Sequence, residues 1–213
     1  MRLVSCFLRA AAVLAITSAF SVACLAAAPV KHANSLPRAS YIDVGAETST
    51  PHGWLDFCSR YEAECSGGLS QSLDMEMNAQ SWKLVREVNA RVNAAISPLS
   101  DQDHWGVVDR WDLPLDGYGD CEDYVLQKRR LLIAAGLPRQ ALLVTVVKDE
   151  KGEGHAVLTV KTTRGEFVLD NMRSNIKAWS QTPYRFVKRQ SQTDPNVWVQ
   201  IGEPTSAPLT VAR

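Results

Sequence analysis

Hydrophobic residues recur every three or four positions in two stretches of the chain. The first runs from Leu73 to Ile96, where Ser97-Pro98 ends it, and the second starts after Cys121 and ends at Gly136. The repeating positions are Trp82, Val85, Val88, Val92 and Ile96 in the first stretch and Val125, Leu126, Leu132 and Ile133 in the second. This spacing places apolar side chains on one face of an α-helix. The pattern therefore predicts two helices that face a core.

Beyond the second helix the hydrophobic residues form short runs rich in Leu and Val, which are typical of β-strands. Polar, glycine-bearing turns at residues 148–154 and 162–165 separate the first three runs. The predicted strands are Ala141–Val147, His155–Lys161, Glu166–Asp170, Tyr184–Lys188 and Val197–Ile201. Helices followed by hairpin-connected strands indicate an α+β domain, with N-terminal helices packed on an antiparallel β-sheet.

The remaining segments are predicted to be irregular. Residues 29–50 carry scattered Pro, Ser and Thr without periodicity, and we expect a flexible N-terminal segment there. Residues 51–68 are interpreted as a cysteine-bearing loop, and residues 97–120 as a long loop that forms the wall of a cleft. Residues 203–213 are expected to be a loose tail. The folded domain is therefore predicted to span residues 51–202.

The N-terminus has the composition of a secretory signal peptide. Two arginines flank the start of an apolar run, Ala10–Leu25, and Ala26–Ala28 supplies small residues for cleavage. The run is short for a membrane span, and no later stretch resembles one. A retained membrane anchor and a lipoprotein cysteine at Cys24 are the alternatives. Residues 1–28 are therefore predicted to be a signal peptide, and the mature protein to be periplasmic and not membrane-spanning.

The charge balance argues against one class of partner. The 213 residues include 23 Lys plus Arg and 23 Asp plus Glu, and basic residues dominate no segment. Proteins that bind nucleic acid or an anionic membrane surface carry basic patches. We therefore expect no nucleic-acid partner.

Export changes how the cysteines are interpreted. Removal of the signal peptide takes away Cys6 and Cys24 and leaves Cys58, Cys65 and Cys121. Disulfides persist in oxidising compartments. Cys58 and Cys65 are close enough in sequence to close a short loop, which leaves Cys121 as a candidate reactive thiol. A disulfide between Cys121 and one of the other two is the alternative.

Cys121 lies where the second predicted helix begins. Backbone N–H groups at a helix N-terminus have no intrahelical partner, and the helix dipole is positive there. Such a position lowers the pKa of a thiol when a cationic partner is near, which favours a nucleophile. The alternative is a small buried apolar cysteine at the start of a core helix.

His155 begins one predicted strand and Asp170 ends the next. The turn at residues 162–165 joins these two strands into a hairpin. If Thr162-Thr163 are the central turn residues, the ladder places His155 directly opposite Asp170. Opposed residues hold their Cβ atoms roughly 4.5–5.5 Å apart. A thiolate nucleophile, a histidine that moves its proton and a carboxylate that orients the imidazole form a catalytic triad. The alternative is a buried structural His with an ordinary Asp at a strand end.

Three carboxylates, those of Asp120, Glu122 and Asp123, flank the cysteine. A carboxylate beside a thiol raises the thiol pKa and so opposes a nucleophilic role. Acidic residues cap helix N-termini, which is one explanation for these three. The other is a site for a hard cation such as Ca²⁺, which takes carboxylate and carbonyl oxygens.

Several short runs together resemble one known family. They are Gly119–Tyr124, Gly154–Leu158, Val168–Asn171 and the upstream Gly53–Cys58 with Glu64–Cys65. Over roughly residues 40–202 the chain resembles the bacterial transglutaminase-like cysteine proteinases. The resemblance implies a papain-like or transglutaminase-like fold. It also implies Cys121 as nucleophile, His155 as general base and acid, and Asp170 as the orienting carboxylate.

The resemblance implies a cofactor and partners as well. Asp120 and Glu122, with Asp123 as a further candidate, are expected to help bind the calcium that activity requires. One type of member of this family cuts large surface adhesins and so releases cells from biofilms. An inner-membrane receptor that senses a cyclic dinucleotide regulates this type. A protein substrate of this kind and such a receptor are the implied partners.

Two other functions fit the same residues. Transglutaminase-type acyl transfer uses the same triad with an amine in place of water, and the sequence does not separate the two because the cleft selects the acceptor. A non-catalytic binding module could also keep this fold. The sequence thus predicts an exported cysteine endopeptidase, with acyl transfer and binding alone as alternatives.

Overall fold

The computed structural model of the protein describes residues 35–202, so the predicted signal peptide and C-terminal tail lie outside the described residues. The helices are α1 (His52–Arg60), α2 (Glu62–Cys65), α3 (Ala79–Ala95), α4 (Asp101–Trp105) and α5 (Cys121–Ala134). The strands are β1 (Glu47–Thr48), β2 (Ser97–Pro98), β3 (Tyr118–Gly119), β4 (Leu142–Lys148), β5 (Gly154–Thr162), β6 (Gly165–Leu169), β7 (Lys177–Ala178), β8 (Arg185–Gln190) and β9 (Trp198–Gln200). Within this range, no helix is long and apolar enough to cross a bilayer.

Seven strands form one antiparallel sheet in the order β1-β9-β8-β4-β5-β6-β7. Strands β2 and β3 form a separate parallel pair. All five predicted strands are present, with ends shifted by one or two residues. The described helices precede the central hairpin β4–β5, and this arrangement confirms the predicted α+β fold.

Helices α3 and α5 cover one face of the sheet. Their apolar side chains share a buried cluster with alternating positions of β4 and β5, because successive strand residues point to opposite faces. The cluster contains Val85, Val88 and Val92 of α3, Val125, Leu126 and Leu132 of α5, and Val144, Val146, Ala156, Leu158 and Val160 of the strands. Burial of each such Val or Leu side chain stabilises the fold by about 1.5–3 kcal/mol. This packing holds α5 firmly against β5.

The N-terminal segment covers part of the opposite face. Ile42 is buried there in a second cluster with residues of β4, β5 and β8. The backbone N–H of Ala39 donates to the carbonyl of Arg164 at 2.9 Å, and β1 pairs with β9. Within residues 36–50, these contacts attach the chain to the sheet, whereas the sequence pattern predicts a flexible segment. The sequence pattern does not show this, because backbone pairing at a sheet edge requires no hydrophobic period.

The cysteine-bearing segment is helical, contrary to the predicted loop. It forms α1 and α2, which a disulfide between Cys58 and Cys65 joins. The disulfide agrees with the predicted local pair and leaves Cys121 as the free cysteine of the described residues. These helices give little sequence signal, because Pro51 at the N-cap of α1 makes no side-chain hydrogen bond and α2 has only four residues.

The first predicted helix begins later than the pattern suggests. Asn78 Oδ1 accepts hydrogen bonds from the backbone N–H groups of Gln80 and Ser81, both at 2.9 Å, and so caps α3 at Ala79. Met75, which lies before this cap, forms a β-bridge with the last residue of β5. Met75 and Met77 are thus buried in the core, whereas Leu73 is 55% exposed.

Three fully buried tryptophans join distant parts of the chain. Trp54 of α1, Trp111 and Trp198 of β9 pack edge to face, with ring centroids 6.3–6.4 Å apart. A Cβ at Gly53 would lie 2.3 Å from the Trp111 ring, so only glycine fits there. The Arg129 guanidinium of α5 lies 5.7 Å from the Trp54 ring centroid. The C-terminal strand therefore helps to anchor the helix that begins at Cys121.

Candidate active site

Cys121 is the first residue of α5 and is fully buried. Asp123 fixes the start of this helix: its Oδ2 accepts the backbone N–H of Asp120 at 3.3 Å, and its Oδ1 accepts that of Asp112 at 2.7 Å. A Cβ at Gly119 would lie 2.5 Å from Asp123 Oδ2, so the approach to the helix requires glycine. These contacts hold the thiol in a defined position at the helix N-terminus.

His155 and Asp170 meet on the hairpin of β5 and β6, although in a different register from the one predicted. Thr162 pairs with Gly165, so residues 163 and 164 form the turn and the ladder is shifted by two positions. The Thr162 hydroxyl donates to the Gly165 carbonyl at 2.7 Å and closes the turn there. The prediction of directly opposed residues is therefore wrong. A shift by two keeps both side chains on their original face, so the contact survives as a diagonal one.

The imidazole of His155 is held by the carboxylate of Asp170. His155 Nε2 lies 3.0 Å from Asp170 Oδ1, and both side chains are buried. An ionised carboxylate only accepts hydrogen bonds, so Nε2 carries the proton and Nδ1 keeps its lone pair. Nδ1 is buried and makes no hydrogen bond with the described residues. This tautomer leaves a basic nitrogen available for a proton.

Asp170 has further partners. The Tyr184 hydroxyl donates to Oδ2, and the backbone N–H of Met172 donates to Oδ1 at 3.0 Å. Asn93 of α3 donates through Nδ2 to the Asp170 carbonyl at 2.8 Å. Burial alone would raise the pKa of Asp170, but the hydrogen bonds from His155 and Tyr184 lower it below its ordinary value. Asp170 is thus ionised and fixed at neutral pH.

The thiol of Cys121 lies beside β5. The backbone N–H of Ala156, the residue after His155, lies 3.4 Å from Cys121 Sγ. The Cys121 sulfur thus lies beside the strand residue that follows His155, and His155 in turn contacts Asp170. The thiol also donates to Glu122 Oε2 at 3.1 Å. Burial, followed by the charges of Glu122 and Asp120, raises the pKa of Cys121 well above its ordinary value, opposite to the lowering expected for a thiol at a helix N-terminus.

Three buried carboxylates lie close to the thiol. Asp101, Asp120 and Glu122 each offer an oxygen, and these oxygens lie within 4.8 Å of one another. Asp120 Oδ2 accepts the backbone N–H of Asp101 at 3.2 Å, which joins the start of α4 to the start of α5. Of the three predicted ligands, Asp120 and Glu122 belong to this group. Asp123 is not one of its members; its Oδ2 accepts the backbone N–H of Asp120 at the N-cap of α5, and its Oδ1 accepts that of Asp112.

The chemistry of this carboxylate group fits a hard cation. Burial is the largest cause that raises the pKa of Asp101 and of Glu122, and like charges nearby add to it. Glu122 Oε1 is buried and accepts no hydrogen bond from the described residues. Buried like charges are costly unless protons or a cation compensate them. Oxygen donors of this kind are the ligands that Ca²⁺ takes in proteins.

Two residues of the site are not evident from the sequence. Asp101 follows Ser100, whose hydroxyl accepts the backbone N–H of Asp103 and caps α4, so in the sequence Asp101 resembles an ordinary first-turn acid. Tyr184 lies just before β8 and resembles a core aromatic. The loop predicted as a cleft wall, residues 97–120, contains β2, α4 and β3 and supplies Asp101. Only tertiary contacts identify these residues.

Three structures of Legionella pneumophila LapG are similar to the chain. The calcium-bound form is 25% identical and covers 59% of this chain and 74% of its own, with a TM-score of 0.49. The EGTA-treated form is 24% identical over 60% and 70%, with a TM-score of 0.48, and a third is 25% identical over 59% and 71%, also with a TM-score of 0.48.

A search of curated proteins gave no match. The family model described as bacterial transglutaminase-like cysteine proteinase matches residues 44–206, which is most of the chain and nearly all of the domain described above. The chain therefore belongs to the bacterial transglutaminase-like cysteine proteinases.

Proposed function

We propose that this cysteine proteinase is a calcium-dependent, exported endopeptidase that uses Cys121, His155 and Asp170 as a catalytic triad. One observation carries the proposal. His155 donates through Nε2 to Asp170 and keeps Nδ1 unpartnered among the described residues, next to the strand position that contacts the Cys121 sulfur. This arrangement provides a nucleophile, a base with a free lone pair, and a carboxylate that orients the base.

The reaction follows from these roles. The Cys121 proton passes to His155 Nδ1, and the thiolate attacks the carbonyl carbon of the scissile peptide bond. The imidazolium, stabilised by Asp170, then gives the proton to the leaving amine as the C–N bond breaks and a thioester forms. Water, deprotonated by the same histidine, attacks the thioester and regenerates the thiol. The backbone N–H of Cys121, at the first turn of α5, is a donor for the oxyanion.

Calcium is proposed at the carboxylate group beside the thiol. Asp101, Asp120 and Glu122 would hold it, and the chemistry it supplies is a positive charge that compensates the buried carboxylates. Asp123 is left to cap α5, so Asp101 replaces it in the ligand set expected from sequence. The calcium-bound and EGTA-treated LapG structures concern that protein, and the test for this chain is its response to chelation.

The substrate and the compartment are also part of the proposal. Membership of the family supports a protein substrate. The family resemblance supports a large surface adhesin as that substrate and an inner-membrane receptor as regulator. The apolar, arginine-flanked residues 1–28 support export to the periplasm.

The test compares the native chain with Cys121→Ala in cells that contain the natural surface proteins. New N-termini on surface proteins would be identified by mass spectrometry, with and without EGTA. We expect cleavage by the parent in calcium, and none by Cys121→Ala or after chelation. Equal cleavage by Cys121→Ala would overturn the proposal. Incorporation of a labelled amine into glutamine side chains, without new N-termini, would show acyl transfer instead.

A further inference from the structure

Tyr184 makes two contacts with the proposed triad. Its hydroxyl donates to Asp170 Oδ2, and its ring packs edge-on against the imidazole of His155, with centroids 5.4 Å apart and planes at 60°. The side chain is only 8% exposed. Among the described residues, Tyr184 alone both donates a hydrogen bond to the Asp170 carboxylate and packs its ring against the His155 imidazole.

The two oxygens of Asp170 have different tasks. Oδ1 accepts from His155 Nε2 and from the backbone N–H of Met172, whereas Oδ2 accepts from Tyr184. With both oxygens engaged, the carboxylate does not rotate about its Cβ–Cγ bond. Its Oδ1 therefore stays directed at the proton on Nε2. A hydrogen bond to a charged acceptor is about twice as strong as one between neutral groups, so this constraint is substantial.

The hydroxyl of Tyr184 also remains a donor. Burial, followed by the hydrogen bond and the negative charge of Asp170, raises the pKa of Tyr184 above its ordinary value. The guanidinium of Arg173 lies 5.9 Å from the centre of the ring and opposes this rise in pKa. At neutral pH the phenol is therefore protonated, and it can only reinforce the negative charge on Asp170 by donating to it.

We propose that Tyr184 is a positioning residue that fixes the Asp170 carboxylate and, through it, the Nε2–H tautomer of His155. This inference rests on the proposed triad. Tyr184 touches no reacting atom; it acts by keeping the lone pair of His155 on Nδ1, where the thiol proton must go. A loose carboxylate would let the imidazole exchange between tautomers, and the Nδ1–H form cannot accept that proton.

Packing alone is the competing explanation for this tyrosine. Its ring belongs to the cluster that contains Ile42, Val147 and Phe186. Tyr184→Phe keeps the ring and the edge contact with His155, and it removes only the hydroxyl. Tyr61→Phe is a matched control, because Tyr61 also donates to a carboxylate, that of Asp112, at 2.5 Å, outside the triad.

Two measurements test the proposal on the purified chain in calcium-containing buffer at neutral pH. The first is the rate of iodoacetamide alkylation of Cys121, read on the peptide that contains it by mass spectrometry. The second is the ¹⁵N spectrum of the His155 ring, which distinguishes the tautomers. We expect roughly ten- to hundredfold slower alkylation in Tyr184→Phe, the range for loss of a hydrogen bond to a charged group, together with mixed tautomers. Tyr61→Phe is expected to match the parent in both.

The outcomes separate this inference from the proposed function. Alkylation at the parent rate and a single Nε2–H tautomer in Tyr184→Phe, with slow alkylation in His155→Ala, would overturn the role of Tyr184 and leave the triad standing. Alkylation of Cys121 at the parent rate in His155→Ala would instead contradict the proposed triad. A thermal unfolding curve of each variant shows that the fold is retained, so a loss of reactivity is assigned to the missing hydroxyl.

Discussion

Cys121 Sγ lies 3.1 Å from Oε2 of Glu122, so the thiol of the proposed nucleophile donates a hydrogen bond to the carboxylate of the next residue. This hydrogen bond retains the proton on sulfur as long as Glu122 is negative. Glu122→Gln removes the charge, and we expect faster iodoacetamide alkylation of Cys121 in this variant than in the parent when both are in calcium-free buffer. Calcium should accelerate alkylation of the parent and leave Glu122→Gln unchanged.

Glu87→Gln provides the control for this comparison, because Glu87 lies on the exposed side of α3 and pairs with Lys83 at 3.5 Å. It should behave as the parent under both conditions. Parent-like alkylation of Glu122→Gln without calcium would contradict the restraining role of Glu122.

Calcium should stabilise the fold through the three buried carboxylates. A ligand that binds only the folded state adds about 2.7 kcal/mol to the free energy of unfolding at a concentration one hundred times its Kd. We expect a rise in Tm on addition of calcium, and a much smaller rise in Asp101→Asn, which removes one of the three charges. Differential scanning calorimetry measures both.

Asp103→Asn is the matched control for Asp101→Asn, because Asp103 lies on the same short helix, exposed and outside the carboxylate group. An equal calcium shift in Asp101→Asn and in the parent would rule out Asp101 as a ligand. If both variants lost the calcium-induced rise in Tm equally, the cause would be damage to α4 instead.

Lys128 should make stability depend on pH. It is fully buried on α5, Nζ makes no hydrogen bond with the described residues, and burial lowers its pKa from 10.5 to about 7, with the charge of Asp170 opposing the shift. Between these two values the unfolded chain binds a proton that the folded chain does not, so stability rises with pH. Lys128→Met should therefore be more stable than the parent at pH 7. The difference between their free energies of unfolding should narrow toward pH 10.5.

One pKa unit corresponds to about 1.4 kcal/mol, so this difference should amount to several kcal/mol at neutral pH. Urea unfolding of parent and variant across this pH range measures it. Lys83→Met serves as the control, since the Lys83 side chain is 74% exposed and its ammonium stays hydrated in both states. If the difference in free energy of unfolding between the parent and Lys128→Met did not change with pH, the lowered pKa of Lys128 would be contradicted.

The disulfide between Cys58 and Cys65 should contribute to stability rather than to chemistry. It closes a loop with a sequence separation of seven residues, and the loss of chain entropy in the unfolded state predicts a stabilisation of roughly 2–3 kcal/mol. The double variant Cys58→Ser and Cys65→Ser should unfold at a correspondingly lower denaturant concentration and keep its Cys121 alkylation rate. An unchanged midpoint would show that the helices α1 and α2 hold this loop closed without the bridge.

The sequence predicts those elements that bury one face over a long stretch. Helices α3 and α5 show a clear hydrophobic period, and strands β4, β5, β6, β8 and β9 show short apolar runs, because their packing depends on these residues. Strands β1 and β7 have two residues each and owe their place to backbone pairing, which leaves no period in the sequence. The hairpin register depends on the side-chain hydrogen bond of Thr162, and a count along the strands does not capture it.

The residue types of the proposed triad are evident from the sequence, whereas the groups around it are not. Cys121 and His155 begin regular elements, and a predicted strand ends at Asp170, so their order along the chain already suggests a site. Asp101 and Tyr184 join it only through contacts between separate elements. The raised pKa of Cys121 likewise follows from complete burial, which a helix N-terminus alone does not predict.

The position of Trp198 has a consequence for the nascent chain during its synthesis. This residue lies in the last strand and completes the aromatic cluster with Trp54, on which Arg129 of the nucleophile's helix rests. During synthesis, Cys121 and His155 leave the ribosome well before the strand that closes this support. A nascent chain therefore contains the proposed catalytic side chains before Trp198 can pack against Trp54. We therefore expect proteolytic activity to begin only after almost the whole domain has been made.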